Sequence, residues 1–179
     1  MLAYSETYRS DAQESLGAML DYAVNIEGPV AIRYPRGSSV ITDSRLKPFN
    51  GSNIEITSGK DITILSVGNM LDESMLAANI LREEGYSVGI TDVAVVKPLD
   101  TSWHDLISKL VVTIEDGVVS GGFGSAFNDE YKNDNFDIIN IGIPDRFIGH
   151  GKVSDLREEC GIDGKTIARK VKDYLERKA

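Results

Sequence analysis

The chain has 179 residues, 41% hydrophobic and 26% charged, with a net charge of −9, one cysteine and two histidines. That length suits one domain, or one domain plus a piece of another, and a chain of this size can bury roughly 70% of the surface its unfolded form exposes. Cys160 alone excludes a disulfide framework, two histidines with one cysteine exclude a His/Cys zinc site, and an acidic chain with no basic cluster denser than residues 165–172 excludes a nucleic-acid surface.

No stretch approaches the ~20 apolar residues of a membrane helix, and residues 1–9 lack the basic and apolar regions of a signal peptide. The expectation is a soluble cytoplasmic protein with neither membrane nor nucleic-acid partners. In chain order, Ser10 and Gln13 form a capping box, and Ala12, Leu16, Met19, Leu20 and Ala23 recur at helical spacing, which predicts a helix over 10–25. Gly28-Pro29 stops it. Val30-Ala31-Ile32 then reads as a short buried strand running into Arg33-Tyr34-Pro35-Arg36-Gly37.

Residues 38–60 are rich in Ser, Asp, Lys, Pro and Gly, with a weak strand at 54–57; the linker proper is placed at 38–51. Beyond it strands and helices alternate. A strand over 62–67 precedes a helix capped by Asp72 and closed by Gly85; a second strand spans 88–95. A short helix over 103–110 leads into a strand over 111–114. Phe123, Phe127 and Tyr131 lie at i, i+4 and i+8 of the next helix, which precedes a strand over 138–141. The chain ends on an amphipathic helix over 165–176. Continuous apolar strands alternating with helices predict a three-layer α/β/α domain with a mostly parallel sheet, preceded by a helix–strand remnant of another domain.

Three features have chemical potential. The run Ser120-Gly121-Gly122-Phe123-Gly124-Ser125 opens a helix after a strand, where free N–H groups attract anions, but its spacing fits neither a Walker loop nor a dinucleotide fingerprint. Close packing of the helix on the sheet is the simpler reading. Glu115-Asp116 lies at the carboxyl end of a strand, where open α/β folds place ligands, and structural duty is again the preferred role. Arg33 and Arg36 offer two guanidiniums suited to phosphate or carboxylate, on opposite sides of an extended segment, so one reaches a ligand and the other makes a structural ion pair; a structural role for both is the alternative. His104 and His150 have no nucleophile partner, His150 sitting in the flexible Gly149-His150-Gly151 loop, and Cys160 reads as a small apolar residue at a helix end.

Five segments, Gly28-Pro29-Val30-Ala31-Ile32-Arg33-Tyr34-Pro35-Arg36-Gly37, Val96-Lys97-Pro98-Leu99-Asp100, Thr113-Ile114-Glu115-Asp116-Gly117, Gly121-Gly122-Phe123-Gly124-Ser125 and Ile141-Gly142-Ile143-Pro144-Asp145-Arg146-Phe147-Ile148, stand in a telling order. They resemble the C-terminal part of the 1-deoxy-D-xylulose-5-phosphate synthase family, within the transketolase superfamily, over essentially the whole chain. The Lys97-Pro98-Leu99-Asp100 piece alone fits the wider superfamily, including pyruvate dehydrogenase beta subunits. The resemblance implies that residues 1–37 are the tail of the pyrimidine-binding domain, 38–51 a linker and 52–179 the transketolase C-terminal domain.

It further implies a transferase that joins pyruvate and glyceraldehyde 3-phosphate with loss of carbon dioxide, for isoprenoid and thiamine precursor synthesis. The complete enzyme would use thiamine diphosphate and Mg²⁺ and form a homodimer. By motif match Arg36 binds the substrate phosphate; no ligand role carries over to Arg33. The family's Gly-Asp-Gly…Asn signature, its activating glutamate and its catalytic histidines are absent from this sequence, so no catalytic, cofactor-binding or metal residue is expected and the chain alone is expected to be inactive. Its partners would be the remaining domains of the same enzyme. Two other readings stand beside this one: a split subunit of another thiamine diphosphate enzyme of 2-oxo acid dehydrogenase beta type, and a non-catalytic interaction module.

Overall fold

A computed structural model describes residues 2–3, 12–34 and 49–178. Strand β1 (Leu2–Ala3), helix α1 (Ala12–Val24) and strand β2 (Ile32–Arg33) come first, and β1 pairs in parallel with β2, Leu2 opposite Ile32 and Ala3 opposite Arg33. Thus β2 shares only Ile32 with the strand expected over 30–32, and it is not buried, Ile32 being half-buried and Arg33 exposed, because its one described neighbour is β1, which has no signature in the sequence. The capping residue Ser10 lies outside the described residues, as do 35–48, which hold Arg36 and most of the expected linker. Where the described chain resumes, Phe49 is buried with Met19 of α1 and Ala94, and its ring meets Tyr22 edge-on at 5.3 Å.

The main body is a five-stranded sheet made of β3 (Ile54–Thr57), β4 (Ile62–Val67), β5 (Val88–Val93), β6 (Leu110–Val118) and β7 (Asp137–Ile143). Its order is β3-β5-β4-β6-β7, parallel throughout except for the antiparallel edge strand β3. All six residues of β4 are buried. Such a strand must be covered on both faces, and alternation assigns the covers. Ile62 and Ile64 face α2 (Leu71–Glu83) and α5 (Gly164–Lys178), whereas Leu65 and Val67 face α3 (Phe123–Tyr131) and the 3-10 turn Thr101–Asp105. Helix α4 (Val153–Cys160) leads into α5 through Gly161, whose φ of +66° supplies the left-handed cap that Cys160-Gly161 foreshadowed.

The structure corrects several boundaries. Helix α2 starts at Leu71, so Asp72 lies in its first turn and is not its cap; Met70 holds that position without a side-chain bond. Burial sets the start, since Met70 and Leu71 are both 0% exposed. The expected helix over 103–110 is a 3-10 turn capped by Asp100, and Leu110 already belongs to β6, its N–H bonded to the Asp61 carbonyl at 3.2 Å. Strand pairing there outweighs a short helical pattern that has only Trp103 to bury. Strand β5 ends at Val93, because the Val95 N–H turns aside to Asn53 Oδ1 at 2.8 Å. Strand β6 runs on to Val118 through a register shift after Ile114.

Candidate functional site

From β4 the chain crosses to β5 on one side, and later to β6 on the other, so the sheet reverses its winding between β4 and β6. Open α/β sheets place their crevice outside the carboxyl ends of such strands. A cleft of about 550 Å³ lies there, lined by Val67 at the end of β4, Lys97, Glu115, Val118 and the loop before α3, with Arg33 contributed by the N-terminal piece.

Glu115 decides what the Gly-rich loop does. Its side chain is buried, and its carboxylate accepts the Phe123 N–H at Oε2 and the Gly124 N–H at Oε1, both at 3.0 Å. These are orphan donors of the first turn of α3, where the helix dipole favours negative charge. An anion is therefore already installed at this helix end, and it belongs to the protein. The Gly121 N–H is also satisfied, bonding Ser125 Oγ at 3.0 Å, while that hydroxyl donates to the Val119 carbonyl at 2.7 Å.

Two glycines make the arrangement sterically possible. A Cβ on Gly122 would overlap the Glu115 carboxylate, and one on Gly124 would stand 2.7 Å from Thr113 Oγ1 and 2.9 Å from Asn140 Cγ. The small residues let the helix enter close against the sheet. The paired acids 115 and 116 divide their labour: Glu115 caps a helix, and Asp116 offers its backbone carbonyl to Arg33 Nη2 at 2.6 Å. That contact ties β2 to the carboxyl edge of β6.

Val96 and Lys97 form another wall, and the chain runs on from it through a cis bond between Lys97 and Pro98 to Asp100. The Asp100 carboxylate accepts the Ser102 N–H at 3.0 Å and hydroxyl at 2.7 Å, and Asn53 Nδ2 donates to it at 3.2 Å. Burial works to raise its pKa, but the bonds from Ser102 and Asn53 outweigh it and hold the carboxyl below 3.8. Tyr131 donates its hydroxyl to the Asp100 carbonyl at 2.6 Å, locking α3 to this segment. Burial, reinforced by the nearby charges of Glu130, Asp100 and Asp134, pushes that phenol up to about 12.

Residues 52–167 match the family model of the transketolase C-terminal domain. The chain belongs to the transketolase C-terminal domain family. Among curated relatives, the 1-deoxy-D-xylulose-5-phosphate synthase of Chlorobium luteolum is 39% identical over 175 residues, covering 92% of this chain and 27% of that protein. The Clostridium tetani synthase is 34% identical over 164 residues, covering 88% of this chain and 26% of its own length. The chain thus spans about a quarter of the relatives it matches. Among solved structures, a split-gene transketolase described as an inactive beta4 tetramer superimposes with a TM-score of 0.81 at 26% identity, over 98% of this chain and 58% of that one. A Campylobacter jejuni transketolase shares the fold, with a TM-score of 0.68 at 18% identity over 93% of this chain and 26% of that one.

Within this transketolase C-terminal domain, the sequence-picked residues do not converge on a catalytic constellation. Arg36 lies outside the described residues. Arg33 borders the cleft; His104 bonds Asp134 Oδ2 through Nδ1 at 2.8 Å, with its ring 4.6 Å from Tyr131; His150 is exposed. A diphosphate with its metal calls for unoccupied helix-end donors and a carboxylate cluster. Here the start of α3 is filled by Glu115, and the Gly164 N–H at the start of α5 bonds Glu73 Oε2 at 2.7 Å. Among the described residues no group of three or more His, Cys, Asp or Glu is placed to hold a metal ion. The residues at these two helix ends therefore do not fit a diphosphate with its metal.

The sequence reading missed the locking role of Asp100 and the tie between Arg33 and Asp116. An Asp two residues before Ser102 is a visible capping signal for the first. The second joins residues 83 positions apart and has no local signal.

Proposed function

We propose that this chain is the C-terminal part of a 1-deoxy-D-xylulose-5-phosphate synthase, which condenses pyruvate with glyceraldehyde 3-phosphate and releases carbon dioxide for isoprenoid and thiamine precursor synthesis. The observation that carries the reading is the continuous match to synthases so named, 34% to 39% identical across 88% to 92% of the chain. In this reading residues 1–37 end the pyrimidine-binding domain, 38–51 link, and 52–179 form the C-terminal domain. The complete enzyme is a cytoplasmic homodimer that holds thiamine diphosphate and Mg²⁺ on its other domains, and the present chain alone is inactive. Occupation of the α3 and α5 helix ends by Glu115 and Glu73 supports that last point. Arg36 binds the phosphate of glyceraldehyde 3-phosphate.

The test replaces the matched quarter of the Chlorobium luteolum synthase with this chain. The chimera is expected to condense the two substrates, and absence of turnover by a folded chimera sinks the reading. In it, Arg36→Ala should raise the KM for glyceraldehyde 3-phosphate and leave that for pyruvate unchanged, a lost charged contact costing about 1.5–3 kcal/mol. An unchanged KM removes Arg36 from the site. Calorimetry on the isolated chain should detect no thiamine diphosphate binding with Mg²⁺ present; a micromolar complex overturns the claim of inactivity through missing parts.

The likeness to a split-gene transketolase over 98% of the chain favours a second reading, in which a separate polypeptide supplies the rest of a transketolase-type enzyme. Reading the DNA upstream separates the two: in-frame coding sequence carrying Gly-Asp-Gly supports the first, an adjacent separate gene the second.

A further inference from the structure

Among the described residues, four of the ten large apolar side chains left in solvent lie on β6, on the segment after β7 or beside Arg33, near the carboxyl edge of the sheet. Phe147, in the loop after β7, is 103% exposed; Tyr34, beside Arg33, is 63% exposed; Val153, at the start of α4, 62%; and Val118, at the end of β6, 41%. An aromatic side chain with no cover is unusual in a soluble surface, and several along one edge mark an interaction site. Pairing brings the elements that bear Tyr34, Val118 and Phe147 to the same edge. Asp116, two residues before Val118, holds Arg33; Val118 stands in register with Ile143, and the Val119 N–H bonds the Ile143 carbonyl at 3.1 Å; Phe147 follows four residues later.

The loop that presents Phe147 is braced. Arg146 reaches Glu159 of α4 at 3.0 Å, and its N–H bonds the Pro144 carbonyl at 2.7 Å, so the turn is held at the residue before Phe147. The same edge bears the cleft lined by Arg33 and Val118, and β2 with its neighbour β1 forms a parallel pair of two residues each. A parallel pair that short is stable only inside a larger sheet. The chain supplies about a quarter of the length of its relatives, so most of the enzyme lies outside it.

We propose that this carboxyl edge, with Phe147 as its anchor, is the seat on which the remaining portion of the synthase docks, the body that also extends the β1–β2 pair. The proposal rests on the synthase reading and adds the surface and residues that join the two parts. An aromatic anchor surrounded by smaller apolar groups is the usual composition of an interface centre. The cleft beside it closes when the docked body covers Val118 and Tyr34.

The experiment compares thiol accessibility in the isolated chain and in the chimera with the Chlorobium luteolum synthase, both carrying Cys160→Ser. Phe147→Cys reports the proposed seat. Ile107→Cys reports an exposed apolar position elsewhere, 75% exposed just before β6 begins at the opposite edge. Maleimide should label both at similar rates in the isolated chain, and in the chimera it should slow about tenfold or more at Phe147→Cys only. Equal rates at Phe147→Cys in the two proteins overturn the proposal. A doubled mass by light scattering in the isolated chain, with Phe147→Cys protected there, assigns the edge to a second copy and also overturns it. If the chimera aggregates, the tagged remainder of that synthase is added in trans to the labelled chain, and no slowing at Phe147→Cys again overturns it. Turnover without protection removes the docking surface and leaves the synthase reading; protection without turnover does the reverse.

Discussion

Helices α1 and α2 each have 13 residues, and their surroundings treat them differently. Helix α2 lies against β4, β5 and α5, and its Leu71, Ala77, Ala78 and Leu81 are 0% exposed. Helix α1 buries Met19 against Phe49 and Ala94, while Leu20 and Val24 stand 50% and 79% exposed. An amphipathic pattern specifies a helix but not the surface that will cover it, and most helical stability comes from that cover. The main body carries its own covers on both faces. Among the described residues, the N-terminal piece is joined to it by one small apolar cluster and the tie from Arg33 to Asp116.

The largest expected effect sharpens that contrast from the well-covered side. Phe127 is fully buried and packs its ring against Trp103, Phe123 and Tyr131 at 4.4 to 5.9 Å. Phe127→Ala should cost about 3–5 kcal/mol of unfolding free energy, measured by urea denaturation. Glu115→Ala leaves two helix N–H groups in a buried site without their acceptor and should cost about 2 kcal/mol; Glu115→Gln, which keeps one oxygen, should recover part of it.

Met19→Ala tests whether the two regions are separable. The amides of α1 should exchange with deuterium markedly faster, with β4 protection and the main urea transition unchanged, because local opening needs only the cluster around Met19. A parallel loss of protection in β4 would show one cooperative unit. Acidification acts on the main body through Asp100. Its carboxyl is held below 3.8, so its stabilising bonds are complete above that value and are lost as pH falls through the lower folded value. Asp100→Asn should flatten the fall in thermal midpoint on acidification below the ordinary carboxylate range. The smallest effect belongs to the exposed face of α1: Val24→Ser should stay within about 0.5 kcal/mol in the isolated chain.

Legibility in the sequence follows the same division. The strand over 62–67 is observed at the same bounds, since a short run dominated by Ile, Thr, Leu and Val and buried on both faces favours a strand. The helix bearing Phe123, Phe127 and Tyr131 is equally plain, all three side chains being buried on one stripe. Boundaries failed where a long-range bond decided them, as at Val95, whose N–H leaves the strand for Asn53, and at Leu110, drawn into β6 by Asp61. In the candidate site, the preference for structure over chemistry at Glu115 and in the Gly-rich loop agrees with the geometry. The role of Asp116 was hidden, because it acts through its carbonyl and any residue has one.

By itself the sequence determined the class of the fold: apolar runs and helical stripes are properties of near neighbours, and their alternation leaves a parallel sheet covered on both faces as the stable solution. The tertiary structure alone decided that Glu115 fills the end of α3, that Arg33 crosses to Asp116, and that Phe147 stands uncovered. Each depends on which strand ends lie side by side at one edge of the sheet, and that placement comes from strand order and register, which no local pattern encodes.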